Sequence, residues 1–170
     1  MLQIYMVMGG IPHYLKALKA GRSARYKTST GFVLAKKVCY AMNIWCGYAY
    51  ENICLKHLSA IKKGLEIGGI YATASSFFKK GTTAHNGTQI DLVIDRNDRI
   101  INLCEIKFYN VAFTITKDYA EKLREKIRVF QETTQTTKQV QLVMITTFGL
   151  SSNKHSLGLI NADLDMQIFF

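Results

Sequence analysis

The stretch QIDLVIDRNDRIINLCEIKF, residues 89–108, constrains this chain most. Two apolar runs of strand length flank a polar NDR, the pattern of one β-hairpin. Each arm carries charge within its apolar run: Asp91 in the first, Glu105 and Lys107 in the second. A buried strand normally excludes all three residue types, because an unpaired charge taken out of water costs several kcal/mol. Side chains alternate across a strand, so Ile101, Leu103, Glu105 and Lys107 share one face of the second arm. Directly opposed residues of an antiparallel pair point the same way. Asp91 and Glu105 therefore share a face if the connecting loop has an odd length, as with the three residues 97–99, unless a bulge intervenes.

Two carboxylates on one face repel each other and are tolerated when a cation lies between them. A hard divalent metal such as Mg2+ takes oxygen ligands and keeps several waters. Lys107, two residues beyond Glu105, is placed to orient a water and to offset phosphate charge. A surface hairpin with an Asp–Lys or Glu–Lys cross-strand pair would carry the same residue types, and a D…ExK spacing alone does not separate the two.

The rest of the chain supplies the frame. Ile44, Tyr48, Leu55, Leu58 and Leu65 recur at helical spacing and predict an amphipathic helix over about 44–64, ended by Gly64, Gly68 and Gly69. Glu51 falls on that stripe, where a core-facing carboxylate needs a partner, unless it sits at the stripe's edge and reaches solvent. IYATASSFF reads as a strand, KKGTTAHNGT as a polar loop, and KDYAEKLREKIRVFQ as a helix with Ala120, Leu123, Ile127 and Phe130 on one face. QVQLVMITTFG reads as a buried strand, SSNKHSLG as a loop, and LINADLDMQIFF as a last strand or hairpin arm. From residue 44 the order is helix, three strands, helix, strand: an α/β class domain over 44–170. Residues 21–43 have no clear period, so 1–43 is read as a separate, poorly defined basic region.

Charge bounds the partners. The 170 residues carry a formal net charge of +10, and residues 1–50 hold seven basic residues, Lys16 to Lys37, and no acid. A basic protein of this size suits a polyanion such as nucleic acid, and equally a plain basic surface. Lys79, Lys80 and Lys117 flank the hairpin and are candidates for holding phosphate backbone. Cys39, Cys46, Cys54 and Cys104 lack zinc spacing and read as free thiols of a reducing cytoplasm. His13, His57, His85 and His155 are scattered and read as surface or structural. No apolar run reaches transmembrane length, and the N-terminus is a poor secretion signal. The nine Tyr and nine Phe are spread through expected core positions, so no base-stacking platform is read from them.

YENICLKH, GTQIDLVIDRND, INLCEIKF, KDYAEKLREKIRVF and MITTFGL together resemble the PD-(D/E)XK nuclease superfamily. Within it they are most similar to the C-terminal nuclease-like domain of archaeal-type ATPases, over about residues 47–150. LQIYMVMGGIPHYLK resembles the segment that follows the ATPase module of those proteins. The resemblance implies an αβββαβ restriction-endonuclease-like core and Mg2+- or Mn2+-dependent hydrolysis of DNA. It implies Asp91 and Glu105 as metal ligands, Lys107 beside the attacking water, and Glu51 as an outer or second ligand. An ATPase partner is a further implication.

The departures are specific. The chain has no GxxxxGK[ST] phosphate loop, and only residues 21–43 stand where the family carries a winged-helix-like region. A truncated remnant, or a catalytically inactive DNA-binding or partner-docking module, is the alternative reading. Family members also carry Gly where this chain has Arg99; if that position needs φ > 0, Arg costs about 1 kcal/mol there.

Overall fold

The computed structural model describes residues 44–81 and 87–170. The expected basic region 1–43, with His13 and Cys39, and His85 in the loop lie outside them. A division of the chain at Ile53/Cys54 leaves Cys54–Phe170 as one compact unit, and the sheet, its helix and the hairpin all belong to it.

Residues 44–56 are helical (α1), and a turn at His57 separates them from α2, Leu58–Gly64. One continuous helix was expected here. At His57 the backbone leaves helical geometry, with φ −111° and ψ 40°, and its N–H bonds back only three residues, to the Cys54 carbonyl at 3.2 Å. The expected core stripe also differs. Ile44, Tyr48 and Leu55 are exposed, whereas Tyr50, Cys54 and Ile61 are fully buried. The buried side chains recur at i, i+4 and i+11, on a different face from the more numerous apolar positions. Glu51, placed on the stripe by the sequence, is therefore not on the buried face; it is partly exposed.

The sheet is mixed, with five strands in the order β1-β2-β3-β5-β7. These are β1 (Ala72–Lys79), β2 (Thr88–Arg96), β3 (Ile100–Lys107), β5 (Gln139–Thr146) and β7 (Ala162–Leu164). β1–β2 and β2–β3 pair antiparallel, and β5 pairs parallel with both β3 and β7. Parallel neighbours need a long crossover. The β3–β5 crossover holds β4 (Phe113–Thr114) and the long helix α3 (Lys117–Thr134); β4 pairs with β6 (Leu150–Ser151) as a small separate ribbon. The C-terminal segment, expected as a strand, forms only the three residues of β7 before a 3-10 turn over Met166–Phe169.

Helix α3 begins where the sequence provides a cap. The Thr116 hydroxyl accepts from the Tyr119 N–H, and Asp118 lies in the first turn. Its Ala120, Leu123 and Phe130 pack with Ile90, Val93, Ile101, Leu103, Leu142 and Met144 of the sheet into one core cluster. Both Ile90 and Val93 belong to it, although residues three apart point to opposite faces of a regular strand. The β1–β2 register explains this: Ser75 opposes Val93 but Phe77 opposes Ile90, so Asp91 and Leu92 together face the single residue Ser76. Strand β2 is bulged at Asp91–Leu92.

The hairpin loop is Asn97-Asp98-Arg99, closed by Asp95↔Ile101 pairing. Arg99 has φ +67°, the left-handed conformation of the third residue in a three-residue hairpin loop. An L side chain is strained there, so Arg99→Gly should stabilise the protein by about 0.5–1 kcal/mol after allowing for the extra freedom of Gly in the unfolded chain. Urea unfolding reads this as a higher midpoint at unchanged slope; an unchanged or lower midpoint would mean that Arg99 makes compensating contacts.

Candidate functional site

The charged hairpin residues converge. Leu92 opposes Cys104 and Val93 opposes Leu103, the even pairing sum that a three-residue loop produces. Beyond Cys104 the β2–β3 ladder stops, while β3 stays paired with β5 as far as Lys107. At that opening the bulge turns Asp91 toward β3. Its Oδ2 accepts from the Ile106 backbone N–H at 2.9 Å, taking the place of a ladder carbonyl. An unbulged strand would have used the backbone for that bond, so the bulge goes with an opening between β2 and β3 and aims a carboxylate into it.

Glu105 is the most enclosed charge, with 3% of its side chain exposed, against 10% for Asp91. The Lys107 ammonium lies 2.9 Å from Glu105 Oε1 and 3.8 Å from Asp91 Oδ2, so one cation reaches both carboxylates. Two groups on α3 complete the shell of Glu105: Lys126 Nζ at 2.6 Å from Oε2, and the Tyr119 hydroxyl, which donates to Oε1 at 3.1 Å. Residues 119 and 126 are two helical turns apart and therefore on one face, alongside the apolar Leu123. The sequence reading missed both. The signal was present: a Lys and a Tyr border the apolar stripe of an otherwise regular amphipathic helix.

The electrostatics of the two carboxylates differ. Burial alone would raise the pKa of Glu105, but Lys107 and then Lys126 outweigh it and hold the group below its ordinary value. Burial, reinforced by the Glu105 charge, raises the pKa of Asp91 despite the Ile106 hydrogen bond and the two lysines. Burial and the neighbouring Glu105 also push the Tyr119 hydroxyl strongly up, so it stays a proton donor. Cys104, buried one position before Glu105, has its thiol raised by burial and is unreactive as a nucleophile.

Asp91 and Glu105 offer hard oxygen donors, and among the described residues no group of three or more His, Cys, Asp or Glu side chains comes together. Such a set does not make a closed zinc or calcium cage. It does fit Mg2+ or Mn2+, which are held by one or two carboxylates with water and substrate phosphate completing the shell.

The remaining candidates are placed as follows. Glu51 lies on α1, before the Ile53/Cys54 division. Lys79 opposes Thr88 at the end of β1, and its ammonium donates to Thr133 Oγ1 at 3.0 Å; Lys80 follows and is exposed. Lys117 is the exposed first residue of α3. On the β2 side of the site a groove of about 630 Å³ is lined by Thr88, Asp118, Glu121, Lys122, Glu125 and Lys126.

No family model and no curated protein matches the chain. The solved structure of a protein of unknown function, AF1548, is similar over 61% of this chain, at 18% identity and a TM-score of 0.42. The match spans about half of that protein's length, 53%. Similarity at that level carries no conclusion about either fold or activity. No helix among the described residues is long and apolar enough to cross a membrane.

Proposed function

We propose that the chain is a Mg2+-dependent nuclease-like domain that hydrolyses phosphodiester bonds in DNA, in a cytoplasmic setting. The observation that carries this reading is the single Lys107 ammonium within reach of both Asp91 and Glu105 where β2 and β3 part. The resemblance of the five motifs to the PD-(D/E)XK superfamily supports it. Asp91 and Glu105 would hold the metal, which when bound supplies a polarised phosphate oxygen and a more acidic water. Glu105 is ionised at neutral pH and ready to take a cation. Asp91, its charge disfavoured by burial, is relieved by one. Lys107 borders the carboxylates, where it can orient a water and offset the charge that builds on phosphate. Lys126 is a quarter exposed and has room to turn toward solvent when Glu105 changes partner. The resemblance adds Glu51 as an outer ligand, a role that Glu51→Gln tests.

A second reading has its own observation. Asp91, Glu105, Lys107 and Lys126 balance two negative charges with two positive ones. Such a cluster is closed without a metal and suits a catalytically inactive DNA-binding module, or one that docks on an ATPase partner.

Metal binding separates the two. A ligand that binds only the folded state stabilises it, by about 2.7 kcal/mol at a hundredfold excess over Kd. Mg2+ or Mn2+ should therefore raise Tm, and Glu105→Ala should remove most of that rise whatever it does to the metal-free Tm. A rise of equal size in wild type and Glu105→Ala places the metal elsewhere and removes the basis of the nuclease reading.

A further inference from the structure

Two exposed aromatic rings lie just past the site, on its β5 side. Tyr109 and Phe148 are 51% and 52% exposed. Parallel pairing of β3 with β5 ends at Lys107↔Thr146, and both chains leave the strand there. Thr147 ties the two segments together: its hydroxyl accepts from the Tyr109 N–H and donates to the Tyr109 carbonyl, both at 2.7 Å, so Phe148, the next residue, follows directly on a residue bound to Tyr109. Tyr109 is continuous with the carboxylates through ring contacts. Tyr109 meets Phe113 edge-on at 5.5 Å, Phe113 meets Tyr119 at 5.4 Å, and the Tyr119 hydroxyl bonds Glu105.

Charge distinguishes the two flanks of the site. The groove on the β2 side carries three carboxylates, Asp118, Glu121 and Glu125, against two ammonium groups, and repels a polyanion. On the β5 side, β4 and β6 run parallel from Phe113↔Leu150, and Asn153 Nδ2 donates to the Ile115 carbonyl at 2.9 Å. The exposed Lys154 follows Asn153 and the exposed Lys117 lies two residues past Ile115, so both flank that hydrogen bond, with Lys107 at the site itself. Exposed rings bordered by cations match one chemistry: bases stacked on aromatic faces while lysines hold the phosphates.

We propose that Tyr109 and Phe148 form a stacking platform for an unpaired nucleobase, so that the chain takes single-stranded rather than duplex nucleic acid. The proposal rests on the nuclease-like reading of the adjoining site and supplies its substrate class. A base in a duplex is stacked between neighbours and hides its faces; an unpaired base offers both.

Binding is measured in EDTA, so that it is independent of cleavage, as fluorescence anisotropy of a labelled single strand and of the duplex made from it at one salt concentration. The single strand should bind tighter. Tyr109→Ala and Phe148→Ala should each weaken it about tenfold while leaving the duplex unchanged, and Tyr109→Phe should keep wild-type binding, because stacking needs the ring and not the hydroxyl. A strand with an abasic position should lose affinity for wild type, and the same strand should show no further loss with Tyr109→Ala. A 2-aminopurine strand bound to the wild-type protein gives a readout that needs no variant: stacking should quench its fluorescence. DNA and RNA strands compared in parallel identify the sugar. The platform is overturned by equal affinity for strand and duplex, by alanine variants that bind as wild type, or by unquenched 2-aminopurine in the bound state. Quenching without cleavage on addition of metal leaves the platform and removes catalysis. Cleavage that is indifferent to both rings does the reverse.

Discussion

Lys107→Ala should reduce metal-dependent DNA cleavage by at least about a hundredfold while leaving the protein folded. The size follows from what the residue does in the proposed reaction: removing one preorganised positive group beside a developing charge, or a group that positions a water, costs about two to three powers of ten. The intact fold follows from burial. The Lys107 side chain is one-third exposed, and without it Glu105 still has Lys126 at 2.6 Å and the Tyr119 hydroxyl at 3.1 Å. Lys107→Arg should not restore the rate, because a planar guanidinium cannot reproduce a point charge 2.9 Å from one carboxylate and 3.8 Å from the other. Cleavage by Lys107→Ala within a few-fold of wild type would exclude Lys107 from the chemistry.

The largest stability effect belongs to the double variant Lys107→Met/Lys126→Met. Glu105 is 97% enclosed by the chain's own atoms and owes its low pKa to these two ammonium groups. Removing both leaves a buried carboxylate with one neutral donor. Breaking a buried pair in this way costs 3–5 kcal/mol; about 3 kcal/mol is expected, because Tyr119 remains and water can enter where the lysines stood. Each single variant should cost clearly less, so the two losses should not add. The pH dependence should also change sign. In wild type the folded pKa of Glu105 lies below the unfolded one, so its stabilisation is present above the unfolded pKa and is lost as pH falls through the folded value. Without the lysines burial dominates and the folded pKa rises. Stability is then greatest below the unfolded pKa and falls as pH rises through the folded one. Asp91, whose pKa is already raised, keeps the latter sign in both proteins. Urea unfolding across the carboxylate range measures this; additive single losses, or a double variant that still weakens on acidification, would mean that Glu105 is not held by these two lysines.

The hairpin was the most legible part of the molecule, because alternation and loop parity are geometric consequences of sequence. With NDR as the loop the even register follows, whereas the left-handed residue at its end, occupied here by Arg99, was suggested only by the Gly that the resembled family carries there. The bulge at Asp91–Leu92 was not legible. Its cause is tertiary: β2 must deliver both Ile90 and Val93 to the core beneath α3, and one extra residue does so. The helical region before the sheet was read on the wrong face. Tyr48 and Leu55 supply the better apolar periodicity, yet Tyr50 and Cys54 are buried, so burial there follows the packing and not the count of apolar residues. Tyr119 and Lys126 were passed over because strand residue types drew the site, whereas the helix contributes two of the three groups bonded to Glu105. The loops that carry Tyr109 and Phe148 are likewise invisible to a linear reading, since 38 positions of chain separate Tyr109 from Thr147, whose side chain joins them.

Electron paramagnetic resonance of Mn2+ titrated into the protein tests the central claim most directly, because it counts bound metal without requiring turnover. One site should fill in wild type, compete with Mg2+, and be lost or strongly weakened in both Asp91→Asn and Glu105→Gln, each of which keeps the side chain's shape and removes its charge. Stoichiometric Mn2+ binding that survives in both variants, or no binding to a folded wild-type protein, would contradict a metal site at Asp91 and Glu105 and leave the closed ion cluster as the correct account of the charged hairpin.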